Sequence, residues 1–352
     1  GDAAMAAGTP VSSAAAAAAL PAPLDIVGRV RSTTARVMEA ARHVSLGTED
    51  AFAAAASELA AAATAAGIGA KDGAASTSVD WDAAGWHYCG DASAGGPLTC
   101  QYVFVLDSLN WCFWPSATSM EYDALAVGLR KAVEADPSVF SAERLQGATA
   151  ADVRGWLAPH DVPEAEERAE MLRELGHVLA AEYGGQAANL VSACGQSACR
   201  LVALLASRLP GFRDETVYRG RRVFLYKRAQ ILAADVWAAY GRLTSGPSPF
   251  AFRDMASLTM FADYRVPQLL LPMGVLRYSP ALEARIAAQE ELCPGSEEEV
   301  EIRAASVQAV EKLRHAMGGT LLSVELDWLL WQRGERSKEK LPPHHRTRTV
   351  CY

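Results

Sequence analysis

The chain has 352 residues, 50% hydrophobic and 21% charged, the make-up of a globular protein with enough apolar side chain for a large core. Its formal net charge of -8 argues against a duplex nucleic acid as partner, because a basic face that neutralises phosphates supplies most of that affinity. A small phosphorylated ligand held by a few local cations stays compatible with that charge. The seven cysteines (Cys89, Cys100, Cys112, Cys194, Cys199, Cys293 and Cys351) form no CxxC pair. They read as reduced thiols of a cytosol-like compartment, and a cytoplasmic location is expected. No apolar run reaches the ~20 residues that span a bilayer, so no membrane partner is expected.

In chain order, residues 1–23 are Ala-rich with Pro10 and Pro21 and almost no charge, and disorder is the expected state. Helical spacing predicts a helix pair from Pro23 to about Ile68, then a loop over 69–80. Two aromatic segments follow, Trp81–Tyr88 and Tyr102–Trp114, and Tyr102-Val-Phe-Val-Leu106 reads as a strand. Helices are predicted at Tyr122–Ala135, Thr149–Leu157, Pro163–Tyr183, Ala187–Arg208 and Tyr226–Tyr240. Leu209-Pro-Gly-Phe-Arg213 is a turn. After a Gly/Pro loop (Gly241–Pro249) another helical region runs through Phe261. A short helix from Val266 stops at Gly274, and Glu297–Met317 and Thr320–Trp331 complete the pattern. Few segments alternate with period two, so the chain is predominantly α-helical.

Polar residues inside apolar, aromatic runs carry the chemical information, because burying them is costly unless they are paired or used. Asp263 lies between Met260-Phe261-Ala262 and Tyr264-Arg265. Such a carboxylate serves a sugar, as nucleophile or as partner of an oxocarbenium-like centre, or else it caps a helix or pairs with Arg265. Lys227, in the mostly apolar Phe224–Leu232, either holds a phosphate or orients a carboxylate, or it snorkels on a solvent face. Asp107 and Asn110 either read the edge of a heterocycle that stacks on Phe113 or Trp114, or Asp107 caps a turn. Asp327 and Trp331, four residues apart, share a helical face suited to a cationic amine beside a planar ring. The plainer alternative is a surface acid next to a core tryptophan. Glu301 and Arg303 stand with them as candidates. His87 alone reads as a hydrogen-bonded core histidine, and His344 and His345 beside Arg346 and Arg348 look phosphate-facing. No His/Cys spacing suits a metal, and no P-loop, dinucleotide-binding glycine pattern, GxSxG or HExxH is present, so no cofactor is called for.

Four motifs in order carry more than their parts: Val103-Phe-Val-Leu-Asp-Ser-Leu-Asn-Trp-Cys-Phe-Trp114, Tyr226-Lys-Arg-Ala-Gln-Ile-Leu-Ala-Ala-Asp-Val-Trp237, Thr259-Met-Phe-Ala-Asp-Tyr-Arg-Val-Pro-Gln268 and Glu299-Val-Glu-Ile-Arg303. With Leu326-Asp-Trp-Leu-Leu-Trp331 and a His-Arg tail, the chain resembles the queuosine salvage protein family from about Pro23 onward. The family is similar to helix-hairpin-helix DNA glycosylases. The resemblance therefore implies a mainly α, single helical domain over residues 24–352 with a few short strands. The Leu209-Pro-Gly211 turn fits that layout, but the hairpin's second glycine is missing, so no direct nucleic-acid partner is implied. The implied activity is hydrolysis of queuosine 5'-phosphate, a small-molecule substrate, to queuine and ribose 5-phosphate. Asp263 would be the catalytic carboxylate and Lys227 its ion-paired helper. His87 and Phe261 would contact the base, and Asp327 the secondary amine of its side chain. Trp331, Asp107, Asn110 and Glu301 are further substrate-binding candidates, with Lys227, Arg303 or His345 holding the phosphate. The alternatives are a nucleic-acid base glycosylase and a non-catalytic nucleoside-binding helical module.

Overall fold

The computed structural model describes residues 25–65, 68 and 79–352. The Ala-rich segment 1–23 and most of the predicted 69–80 loop lie outside the described residues. Fourteen α-helices are present among the described residues. They are α1 (Ile26–Ala40), α2 (Glu49–Ala65), α3 (Pro97–Leu109), α4 (Tyr122–Ala135), α5 (Ala142–Gln146), α6 (Ala150–Trp156) and α7 (Ala165–Glu182), then α8 (Ala187–Ala193), α9 (Ala198–Arg208), α10 (Lys227–Ala239), α11 (Arg265–Leu270), α12 (Pro280–Ala287), α13 (Glu297–Ala316) and α14 (Ser323–Ser337). Four short strands make two antiparallel pairs. β1 (Val44–Leu46) pairs with β4 (Leu276–Tyr278), and β2 (Glu215–Tyr218) forms a hairpin with β3 (Arg221–Phe224). The expected mainly α class holds, and no single helix among the described residues is long and apolar enough to cross a membrane.

Three local readings change. The Tyr102–Leu106 run lies inside helix α3, not in a strand. Every residue from Thr99 to Leu109 is buried, so α3 has no polar face to reveal its period, and a short apolar run cannot tell helix from strand. The region before Phe261 is extended apart from one tight turn at Met255–Ser257. Side chains replace the helical ladder there: Thr259 N–H donates to Gln230 (2.9 Å) and Phe261 N–H to Asp327 (3.0 Å). The Ala187–Arg208 helix is broken at Gly195 and Gln196, both left-handed, and Ser197 caps the restart at α9. Elsewhere Gly274 ends its segment as expected, with φ of +68°. The Leu209-Pro-Gly turn is followed by the β2–β3 hairpin before α10, so helix does not follow the turn directly.

Helix α3 is the buried axis, packing against α4, α7, α8 and α10. Its C-terminal carbonyls have no helical partners and would be costly to bury bare. Three buried cations meet them. Arg228 donates to the carbonyls of Ser108 (2.7 Å), Asp107 and Gly211. Arg168 donates to those of Leu109, Trp111 (2.6 Å), Cys112 (2.7 Å) and Pro163 (2.8 Å), and its guanidinium lies over the Trp111 ring. Lys227 reaches the Asn110 carbonyl at 3.4 Å. The negative end of the helix dipole favours cations at this place. Replacing Arg168 with Met is expected to lower unfolding free energy by about 3 kcal/mol or more, because several buried carbonyls lose their donors. Arg168→Lys should rescue little, since one ammonium cannot reach all four. A urea titration in which Arg168→Met matches the unsubstituted protein would contradict this account.

Candidate active site

Helix α10 presents Lys227, Ile231 and Asp235, four residues apart, to one cavity of about 400 Å³, a size suited to a small ligand. Helix α14 contributes Asp327, Trp328, Trp331 and Glu335 at helical spacing. The extended stretch between them supplies Phe261, Asp263 and Tyr264, while Trp81, His87 and Tyr122 wall another side. Asn110, just past α3, and Tyr352 complete the lining.

The Asp263 carboxylate is anchored by one oxygen. Its Oδ1 accepts from the N–H groups of Arg265 and Val266, both at 3.0 Å, which caps α11. No hydrogen bond from a described residue reaches Oδ2. Helix cap and cavity carboxylate, rival readings of the sequence, are here one residue using different oxygens. Burial raises the Asp263 pKa, and Lys227 and the two backbone N–H groups oppose that rise. The direct ion pair expected with Lys227 does not form, since the lysine's hydrogen bond goes to the Asn110 carbonyl. The two charges act across space instead. Burial lowers the Lys227 pKa, and Asp263 is its largest counterweight.

Asp327 Oδ1 accepts from the Phe261 N–H at 3.0 Å, tying α14 to the segment that carries Asp263. Burial first, then the Asp263 charge, push its pKa well above the carboxylate range. His87 lines the cavity, but both ring nitrogens are engaged, Nδ1 with Asp82 (2.7 Å) and Nε2 with the Tyr122 hydroxyl (2.8 Å). Its ring stacks on Trp81 at 4.0 Å, leaving the histidine oriented rather than free. Trp331 meets Tyr122 and Trp86 edge-on, extending the aromatic wall.

Four sequence candidates fall outside the lining. Asp107 is fully buried behind it, where burial lifts its pKa to about 7 and Asn110 donates to it at 3.2 Å. Glu301 accepts from the N–H groups of Arg42, His43 and Val44 and from the Tyr218 hydroxyl (2.7 Å), a structural anchor for β1 and β2. Arg303 is bound to Asp214 through both terminal nitrogens (3.0 and 2.6 Å), with Nε donating to the Ala262 carbonyl (2.9 Å). Its charge is spent before a phosphate could claim it. Burial, with smaller contributions from His344 and the Arg303 charge, lowers the His345 pKa to about 3, and its Nε2 contacts the Tyr352 hydroxyl at 3.2 Å. Neither is a phosphate cation. His43, Glu297 and Glu301 bring ligating atoms within 4.8 Å of one another, but Glu301 is committed as above and Glu297 pairs with Arg219 at 2.7 Å.

Residues the motif reading passed over include Asp235, Trp81, Tyr122, Arg265 and Tyr352. Asp235 was legible, since it stands eight residues after Lys227 on the same helical face. Tyr352 was not, because only the folded tail brings it to the cavity, where its carbonyl accepts from Cys112 N–H (3.0 Å). A carboxylate fixed by one oxygen, a nearby buried lysine and an aromatic wall thus share one cavity.

The family described as Queuosine salvage protein matches residues 91–352. A queuosine 5'-phosphate N-glycosylase/hydrolase of Dictyostelium discoideum is 42% identical over 275 residues, 76% of this chain and 84% of that protein. The protein of the same name from Sphaerobacter thermophilus is 42% identical over 273 residues (74% and 83%), and that of Mus musculus 34% over 278 (71% and 81%). The chain belongs to the queuosine salvage protein family.

Proposed function

We propose that this chain hydrolyses the N-glycosidic bond of queuosine 5'-phosphate, releasing queuine and ribose 5-phosphate for reuse of the base in tRNA. The observation that carries the reading is Asp263: one oxygen locked by two backbone N–H groups, the other free, in a cavity shared with Lys227 and an aromatic wall. Water adds to C1' of the ribose, the C1'–N9 bond breaks, its electron pair leaves with the base, and the water's proton balances it. Queuine is a 7-deazaguanine, so the ring nitrogen that purine hydrolases commonly protonate is absent. More of the barrier must then fall by stabilising positive charge on the sugar, where preorganised electrostatics is the largest catalytic contribution. Asp263 supplies that negative charge, and Lys227 helps keep it ionised. Asp327 and Asp235, whose pKa values burial raises well above the usual carboxylate range, are biased toward the protonated form and can offer hydrogen bonds to the departing base.

Asp263→Asn is expected to reduce turnover by a factor on the order of 1,000 or more while leaving queuine binding largely intact. Chromatography for free queuine and calorimetry on the same preparation measure the two. Near-normal release by the variant would remove Asp263 from the role assigned to it. The pH profile of kcat should be narrower than free side chains would give. The catalytic carboxylate must be ionised, so activity is lost as pH falls through a pKa raised above 3.8. On the alkaline side Lys227 loses its proton below its ordinary 10.5, and activity goes with it. Of the three cations first assigned to the phosphate, only Lys227 faces the cavity, accompanied by Arg265 and Arg336. The 5'-phosphate should improve kcat/KM roughly 100-fold over the bare nucleoside, through charge-assisted hydrogen bonds. Equal rates on the two substrates would exclude a phosphate site.

A further inference from the structure

The reaction as derived leaves the placement of the base unspecified, and Asp235 bears on it. Its side chain lines the cavity, the residue is 1% exposed, and among the described residues neither carboxyl oxygen has a hydrogen-bond partner of normal geometry, the Trp81 indole being a nearby donor. Leaving a buried polar group unpaired costs about 1–3 kcal/mol. Folded proteins keep such groups rarely, and in a binding cavity the natural partner is the ligand. Asp327, the other acid of the lining whose pKa burial raises strongly, already accepts the Phe261 N–H through one oxygen. Asp107 also has an unpaired oxygen but lies behind the lining, so it acts on Asp235 only as a neighbouring acid.

Position defines what Asp235 meets. It lies eight residues beyond Lys227 on the same face of α10, about 12 Å further along the axis. Lys227 and Asp263 serve the sugar. Asp235 belongs to the other end, where the Trp81 indole and the Tyr122 ring are close enough to interact with its carboxyl group. A bicyclic base extending from the sugar toward the aromatic wall would turn its far edge to that end of the cavity.

We propose that Asp235 reads the lactam edge of the leaving base, its carboxyl group accepting a hydrogen bond from N1–H and donating one to the C6 carbonyl oxygen. The inference rests on the hydrolase reading above and adds the residue that selects the base. A protonated carboxyl group and a lactam are complementary in donor and acceptor. Burial, reinforced by Asp107, raises the Asp235 pKa and so favours the protonated carboxyl group, against the smaller opposing effects of Trp81 and Lys227. Donation to the C6 oxygen also strengthens as the C1'–N9 electron pair moves into the base.

The test compares queuine with its N1-methyl derivative as ligands, by calorimetry, and uses Asp235→Leu and Asp235→Ala. Leu tests an apolar filling and Ala excludes overpacking, so at least one variant folds. The unsubstituted protein should prefer queuine by a factor on the order of 100, and both variants should bring that ratio close to one. Leu should leave Tm unchanged or raise it, because an unpaired buried acid is replaced by an apolar side chain. A purely structural acid would lower Tm and leave the ratio intact, and that result overturns the proposal. So does an unsubstituted protein that binds both ligands equally. A protein that releases no queuine from queuosine 5'-phosphate overturns the hydrolase reading itself, and this inference with it.

Discussion

One ion pair holds Lys227 and the Asp263 segment in register. Arg303, on α13, grips both oxygens of Asp214 and the Ala262 carbonyl, the residue before Asp263. Asp214 in turn accepts the Lys227 N–H at 2.9 Å through its carboxylate, and its carbonyl takes the N–H groups of Leu225 and Tyr226. The start of α10 and the Asp263 segment therefore hang from a single guanidinium, capped by the Tyr352 ring at 4.3 Å. A buried pair of this kind contributes little net stability once desolvation is counted. Its value lies in geometry, because a planar fork with fixed donors tolerates no sliding.

Around that frame the lining separates its acids by environment. Asp263 receives two backbone N–H groups and the field of Lys227, which oppose the effect of burial. Asp327 and Asp235 lack that much compensation and are driven much further up. Chemically identical side chains of one cavity thus meet environments that push their pKa values apart, the condition for dividing anionic from proton-bearing work. Lys227 can stay in this interior because the C-terminal end of α3 and several carboxyl groups offset its desolvation.

Much of this was readable before folding was considered. Helical spacing located α4, α7, α10 and α13 to within a few residues and the start of α14, whose end runs six residues beyond the expected Trp331. Helix α3 was misread because burial on every side erases periodicity. The extended stretch up to Phe261 was misread because its backbone partners are side chains of Gln230 and Asp327, remote in sequence. Asp263, Lys227, His87, Phe261, Asp327 and Trp331 all reach the cavity. Arg303 and Glu301 drew attention as charges in an apolar helix, but that pattern marks any buried charge and cannot separate a ligand contact from an internal clamp.

The lining draws on residues from Trp81 to Tyr352, so no local piece of chain contains it. Tyr352 closes against Cys112, and His344 packs over Tyr264 with ring centroids 4.3 Å apart, contacts that join distant parts of the sequence. Loops of that length close late and only once the helices between them are in place. A complete lining then requires those distant closures, and any ligand in the cavity binds across residues 81–352 at once. Occupancy should tighten the native state globally, not just around the pocket, making substrate supply a determinant of how long each copy of the protein survives.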